Sequence, residues 1–217
     1  MRFKNAYKGI KKIYFCEMIV IIISLLAFFS AIIKELKIEN KVLDNVISIL
    51  VMISSFVLIF VFILRFIGLK QASRDDYSMK IAFGFSIIGI ILSVALSVFG
   101  VLSKTPIIIA ISAIINLIID IISSLVICFL LTGISSLANQ LGDNKMERWG
   151  KRLVVVIMFL YAIFIFLGIY GSMLISVVPN WAQFTLGIAS ILGALLELII
   201  YISIVIYYQK AVKMLKK

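Results

Sequence analysis

Three carboxylates, Glu17, Asp120 and Glu197, stand inside long apolar stretches of the chain. A charge at the centre of a bilayer costs about 2.5–3.5 kcal/mol on insertion scales, so such residues face a bundle interior or water, take a partner, or become protonated. If these stretches cross a membrane, the three acids are the positions at which the chain would bind a cation or hold a proton.

Asp120 lies at the centre of a polar stripe. Asn116 precedes it by four residues and Ser124 follows it by four, so a helix brings all three to one face. Counted from Gly133 at the end of the apolar stretch, Asp120 lies about 20 Å deep at 1.5 Å per residue. That depth is near the middle of a hydrocarbon core about 30 Å thick.

Glu197 has similar surroundings, because Ala189, Gly193 and Tyr201 stand at steps of four around it. Counted from Tyr207, it lies about 15 Å from the nearer interface. Small neighbours let another helix, or a water-filled gap, approach the carboxylate closely.

Two neighbouring carboxylates in an apolar interior share a proton or bind a cation, because both cannot easily stay ionised. The alternative is a protonated, hydrogen-bonded pair that only holds two helices together. The sequence therefore predicts a proton- or cation-binding site formed by Asn116, Asp120, Ser124, Glu197 and Tyr201.

Glu17 has a simpler explanation, because Arg65 is expected at the same depth in the neighbouring apolar stretch. A Glu17–Arg65 ion pair, or a side chain that reaches the headgroups, accounts for this acid without a function.

The elements that position these acids are apolar helices. The chain has 217 residues, 64% of them hydrophobic, and a mean hydropathy of +1.22, which exceeds the apolar content of a soluble domain. The uncharged stretch 153–196 is too long for one span, and VVPNWAQ at 177–183 supplies a turn. We predict an all-α integral membrane protein, one domain over residues 1–217, with six transmembrane helices at about 13–33, 45–66, 81–101, 106–132, 153–177 and 182–207.

The distribution of Lys and Arg predicts the orientation. Only Lys34, Lys37, Lys41 and Lys104 fall on one side, and the remaining basic residues cluster with the two termini. We predict that the chain lies in the inner (plasma) membrane of the cell. The positive-inside rule then places both termini in the cytoplasm. The net charge of +11 lies in clusters between apolar stretches, a pattern that fits anionic headgroups better than nucleic acid.

The starts of the first, third and fifth spans share a pattern. Asn5, Ser73 and Asn144 are each predicted to cap a helix, and each is followed seven residues later by a lysine. This spacing suggests three tandem helical hairpins. The alternative is that every helix start at this membrane face takes a cap and a lysine.

Small residues recur at helical steps in several spans, which predicts close helix packing or a surface that docks another subunit. In the third span they are Ala82, Ser86, Gly89, Ser93, Ser97 and Gly100. The first span carries Ala27-x-x-x-Ala31. In this motif, in length and in span count the chain resembles the substrate-binding subunits of energy-coupling-factor vitamin transporters, and that resemblance implies a membrane partner docked on the first helix.

Several sequence motifs of catalysis and of metal or nucleotide binding are absent from the chain. The chain has no histidine, no GxSxG and no Walker lysine motif, which excludes HExxH zinc sites and histidine-based catalysis and leaves a P-loop unsupported. The pair Asp75-Asp76 at a helix start is better explained as a complement to the helix dipole than as a metal site. We expect no enzymatic activity, no cofactor and two reduced, packed thiols at Cys16 and Cys128.

Together these features predict a transporter of a small solute or cation, or the membrane subunit of one, in contact with the lipid bilayer. The alternative is a non-transporting scaffold or accessory protein whose intramembrane acids serve helix packing or partner docking. A cavity that reaches Asp120 or Glu197 would favour the first prediction, and a solid core there the second.

Overall fold

The computed structural model describes residues 2–35, 41–102, 106–174 and 180–216. Nearly all of these residues are helical, which confirms the all-α fold. The described part of the chain contains six helices: α1 (Lys4–Glu35), α2 (Lys41–Ala72), α3 (Tyr77–Leu102), α4 (Pro106–Gln140), α5 (Asn144–Leu174) and α6 (Asn180–Lys216).

Four stretches of the described residues are long and apolar enough to cross a membrane, so the protein is a multi-pass membrane protein. They are Val46–Ala72, Tyr77–Val98, Ile111–Gln140 and Leu195–Lys216.

Each predicted span falls on one helix, apart from the end of the fifth, which reaches beyond the described residues of α5. That all six helices cross the membrane stays a prediction. The helices also run past the predicted ends, because residues spaced at helical steps there are apolar and buried. In α4 these include Leu137 and Ala138, and in α6 they include Tyr208 and Ala211, all at most 1% exposed.

The helices are arranged in a ring in which each helix packs against the next and α6 packs against α1. One hydrophobic core joins the start of α1, the ends of α2, α4 and α6, and the starts of α3 and α5. The helices therefore alternate in direction, and both chain termini lie at the same end of the bundle, here called the terminal end.

Aspartates cap the helices that begin at the terminal end, in place of the predicted Asn5, Ser73 and Asn144. Asp76 Oδ1 accepts hydrogen bonds from the amides of Ser78 (2.8 Å) and Met79 (3.2 Å) and so caps α3. Asp143 Oδ1 caps α5 through the amide of Met146 (3.1 Å). The prediction that Ser73 caps α3 is wrong, because its hydroxyl donates to the carbonyl of Lys70 at the end of α2 (2.8 Å).

Asp75 caps α1 from the turn between α2 and α3. Its Oδ2 accepts from the amide of Ala6 (2.7 Å) and its Oδ1 from Nδ2 of Asn5 (2.9 Å). The prediction that Asn5 caps α1 is therefore wrong, because its side chain donates to Asp75 from inside the helix. The prediction that Asp75-Asp76 complements helix dipoles is confirmed, and the aligned caps no longer support three tandem hairpins.

Two glycines allow the closest helix crossings. A Cβ on Gly9 of α1 would collide with the carbonyl oxygen of Gly68 and, at 2.6 Å, with the amide of Ala72, both on α2. A Cβ on Gly150 of α5 would collide with the hydroxyls of Ser135 and Tyr207. These hydroxyls are 3.1 Å apart and bridge α4 to α6.

Candidate functional site

Glu17 is the centre of a buried polar network that joins three helices. Its side chain is 5% exposed, and its Oε1 lies 3.3 Å from Nε of Arg65 on α2. The hydroxyl of Tyr201 on α6 donates a hydrogen bond of 2.7 Å to its Oε2. The predicted Glu17–Arg65 pair is confirmed.

The steps of four on α6 predict Tyr201 as a residue of the proton- or cation-binding site. The structure shows its hydroxyl bonded to Glu17 of α1. The two residues are 184 positions apart in the chain, so nothing in the local pattern indicates the contact. Tyr201 therefore connects Glu17 to the region around Glu197, which lies one turn earlier on the same helix.

The network leaves one polar atom unsatisfied. In the described part of the chain, Oε1 of Glu17 is buried and accepts no hydrogen bond, although Arg65 lies close enough for an ion pair. Arg65 itself is 41% exposed. The guanidinium therefore neutralises the carboxylate electrostatically but keeps much of its own surface accessible.

A cavity of about 390 Å³ between α4, α5 and α6, here called the Glu197 cavity, lies next to this network. Its polar lining consists of Tyr161, Glu197 and Tyr201. Within the residues that the structure describes, Glu197 has no ion-pair or hydrogen-bond partner. The remaining walls are aliphatic: Ile127, Ile157, Leu160, Leu198, Ile200 and Ile204.

Asp120 does not line this cavity, and both Asp120 and Glu197 are exposed. Asp120 shares a face of α4 with Ile127, seven residues further on, which is part of the lining. Asp120 and Glu197 both lie within electrostatic range of the Tyr161 hydroxyl on α5. Within the described residues no hydrogen bond or ion pair joins the two predicted acids to each other. The Tyr161 hydroxyl, which lies within range of both, was not predicted, and a tyrosine in an apolar span was the signal for it.

The other predicted residues contribute less to this group. Asn116 is exposed, one turn beyond Asp120. The hydroxyl of Ser124 donates to the carbonyl of Ile121 in its own helix (2.8 Å) and is thus already engaged. Among the described residues, no three His, Cys, Asp or Glu side chains are grouped in a way that could hold a metal ion.

A carboxylate, two phenols and aliphatic walls around about 390 Å³ have the size and lining of a small-ligand site. The carboxylate supplies a negative charge and the phenols supply ring faces and hydroxyl oxygens, all of which suit a cation. The arrangement can therefore hold a monovalent cation or a proton on Glu197.

The small residues of the third predicted span belong partly to a packed contact and partly to a cavity: α3 packs extensively against α4, and Ala82 is fully buried. A Cβ added to Gly89 would approach only a side-chain carbon of Ile122 on α4, at 3.4 Å. Ser86, Gly89 and Ser93 instead line a second cavity of about 460 Å³ between α2, α3 and α4. Small residues here leave space rather than close it.

The partner-docking motif of α1 has one residue that can be described, Ala27, which is exposed. Ala31 lies outside the residues whose side chains are described, so docking at this motif stays a prediction. Comparison of the chain with protein-family models, with curated proteins and with solved structures gives no match.

Proposed function

We propose that this membrane protein transports a small solute or cation, alone or as the membrane subunit of a larger transporter, and that the Glu197 cavity holds the cation. The observation that carries the proposal is the cavity itself, which reaches a carboxylate without a basic partner among the described residues. A carboxylate between aliphatic walls gains stability by taking up a cation or a proton.

Two further features support a cation site. Tyr161 lies near both Asp120 and Glu197, so a cation there would be attracted by two acids and a ring. Tyr201 links the cavity lining to Glu17, whose charge is balanced by Arg65. Glu197 is thus the acid left available for a ligand, and the proposed role requires no enzymatic chemistry.

The second candidate function is a scaffold or accessory protein. The solid core at the terminal end and the Glu17 network favour it, because there a buried acid ties α1, α2 and α6 together. In that case Glu197 would serve packing alone, and no cation would bind.

Thermal unfolding of the purified protein in detergent distinguishes the two. The probes are NaCl, KCl and tetraethylammonium chloride. The reference sample contains N-methylglucamine chloride at the same ionic strength. A bound cation at 100 times its dissociation constant stabilises the fold by about 2.7 kcal/mol. We expect at least one probe to raise the Tm of the wild type, Glu197→Gln to abolish that rise, and Asp120→Asn to reduce it.

Glu147→Gln is the matched control, because Glu147 lies at the terminal end in a pair with Lys151 and should respond as the wild type does. Two results would overturn the proposal in favour of the scaffold: no probe raises the Tm of the wild type, or Glu197→Gln keeps the full response.

A further inference from the structure

We propose that the crevice between α2 and α3 binds an anionic phospholipid of the surrounding bilayer, with the phosphate held by Lys70, Arg74 and Lys80. This site is separate from the Glu197 cavity and does not depend on the proposed transport function.

The headgroup end is a cavity of about 640 Å³ at the turn between α2 and α3. Lys70, Arg74 and Lys80 line it and all three are exposed. Neither of the two ion pairs found in the described residues involves them. Three basic side chains around one cavity therefore keep their charge available for an anionic ligand.

The two acids in the same lining do not cancel this charge. The oxygens of Asp75 face the start of α1, and Oδ1 of Asp76 faces the start of α3. A helix start carries partial positive charge, so each carboxylate is already compensated by the helix that it caps. Lys70, Arg74 and Lys80 are therefore the charged groups of this cavity that remain available to a ligand.

The cavity lies at the level of lipid headgroups. The apolar span of α2 ends at Ala72 and that of α3 begins at Tyr77, and the cavity lies around these two ends. Tyr77 is 75% exposed there, in the position that tyrosines take at a membrane interface. A phosphate of the adjacent leaflet therefore reaches the three basic residues without leaving the bilayer surface.

The acyl-chain end is the cavity of about 460 Å³ between α2, α3 and α4, which is lined mostly by apolar residues and also by Arg65. Leu69 lines this cavity and its neighbour Lys70 lines the basic one. Phe66 of the apolar cavity and Phe83 of the basic cavity have ring centroids 5.1 Å apart. Phe62 and Phe66 of α2 and aliphatic side chains of all three helices line this cavity, and the small residues Ser86, Gly89 and Ser93 of α3 leave room for a chain.

This combination selects the ligand class. A free phosphate would use only the basic cavity, and a zwitterionic lipid would gain little from three cations, whereas an anionic phospholipid uses both cavities. The chemistry that fits both is a phosphate with net negative charge joined to an aliphatic chain.

Native mass spectrometry of the full chain tests the site. The protein is released from micelles that contain equal amounts of phosphatidylglycerol and phosphatidylcholine, with glycerol phosphate as a soluble competitor. We expect the wild type to retain phosphatidylglycerol preferentially. The combined variant Lys70→Gln, Arg74→Gln, Lys80→Gln should bind it on the order of 100-fold more weakly, because each basic residue contributes about a factor of five.

The matched control removes three exposed basic residues of α5 at the same end of the bundle, as Lys145→Gln, Arg148→Gln, Arg152→Gln. It should retain the lipid. Ser93→Phe, which fills the apolar crevice without changing charge, should weaken retention of the lipid even in a variant that folds normally.

Three results would overturn the proposal. Equal retention of both lipids by the wild type means that charge does not select the ligand. Equal loss in the two triple variants means that only overall charge matters. Full displacement by glycerol phosphate, with no effect of Ser93→Phe, means that the site takes a free phosphate.

Discussion

At the scale of single residues, Glu17 is held by two partners of different kinds. Arg65 balances its charge from α2, and Tyr201 donates a hydrogen bond from α6. Removing one partner of a buried ion pair costs more than the pair itself contributes, because an uncompensated charge remains in the interior. The two contacts should therefore differ in the cost of their removal.

We predict that Arg65→Gln lowers the free energy of unfolding by about 3 kcal/mol, because it leaves Glu17 buried without a cation. Tyr201→Phe removes a hydrogen bond to a charged group and should cost about 1.5–3 kcal/mol. Glu147→Gln, the control, breaks a helical surface pair worth about 0.3–0.5 kcal/mol. Reversible unfolding in mixed detergent micelles measures all three, and an Arg65→Gln cost as small as that of the control would contradict a stabilising ion pair between Glu17 and Arg65.

The sequence was sufficient to predict one of these contacts. Glu17 and Arg65 belong to consecutive helices and lie at the same depth, so their pairing follows from antiparallel packing. The bond between Glu17 and Tyr201 depends on the closure of the ring between α1 and α6. Tyr161 was missed for a similar reason, because only the packing of α5 beside α4 and α6 brings it near the two acids.

At the scale of elements, the close crossing of α1 and α2 depends on Gly9. A methyl group there would overlap backbone atoms of Gly68 and Ala72, and backbone atoms cannot rotate away as a side chain can. Gly84 of α3 has no atom within 4 Å of the same position. The two glycines therefore form a matched pair for the same substitution.

We predict that Gly9→Ala destabilises the fold by about 1–3 kcal/mol, the usual cost of overpacking. Gly84→Ala should be neutral or stabilise by up to about 1 kcal/mol, since alanine is the better helix former. The measurement is the melting temperature of each variant relative to the wild type. Similar shifts for both variants would contradict the crossing described for α1 and α2.

The elements were predictable to different degrees. Helix positions followed from apolar stretches bounded by charges, because the bilayer requires about 20 apolar residues per span. The helix caps were harder to predict, because Ser73 and Asp76 both suit a helix start. Only the contact of Ser73 with the end of α2 leaves Asp76 as the cap of α3. Close packing of the small residues of α3 is confirmed at Ala82, which is buried, whereas Ser86, Gly89 and Ser93 line a cavity, because composition alone does not determine whether a neighbouring helix closes the gap.

At the scale of the whole molecule, the bundle has a packed end and a more open region. Buried side chains concentrate at the terminal end, where α1 to α6 share one core. The Glu197 cavity adjoins this core, because Ile157 and Ile204 belong to both, and Tyr201 of its lining is bonded to Glu17.

The central claim is that water and small cations reach Glu197, and cysteine labelling in native membranes tests it most directly. The variant Glu197→Cys is compared with the control Ile199→Cys. Ile199 is 60% exposed but does not line the cavity. Cys16 and Cys128 are buried and should react slowly in both variants.

The probe is a cationic, water-soluble methanethiosulfonate, which reacts with the thiolate and therefore only where water is present. We predict that the cysteine at position 197 reacts at least about tenfold faster than that at position 199. Equally slow reaction at both positions would show a dry interior around Glu197 and would contradict the proposed cation site.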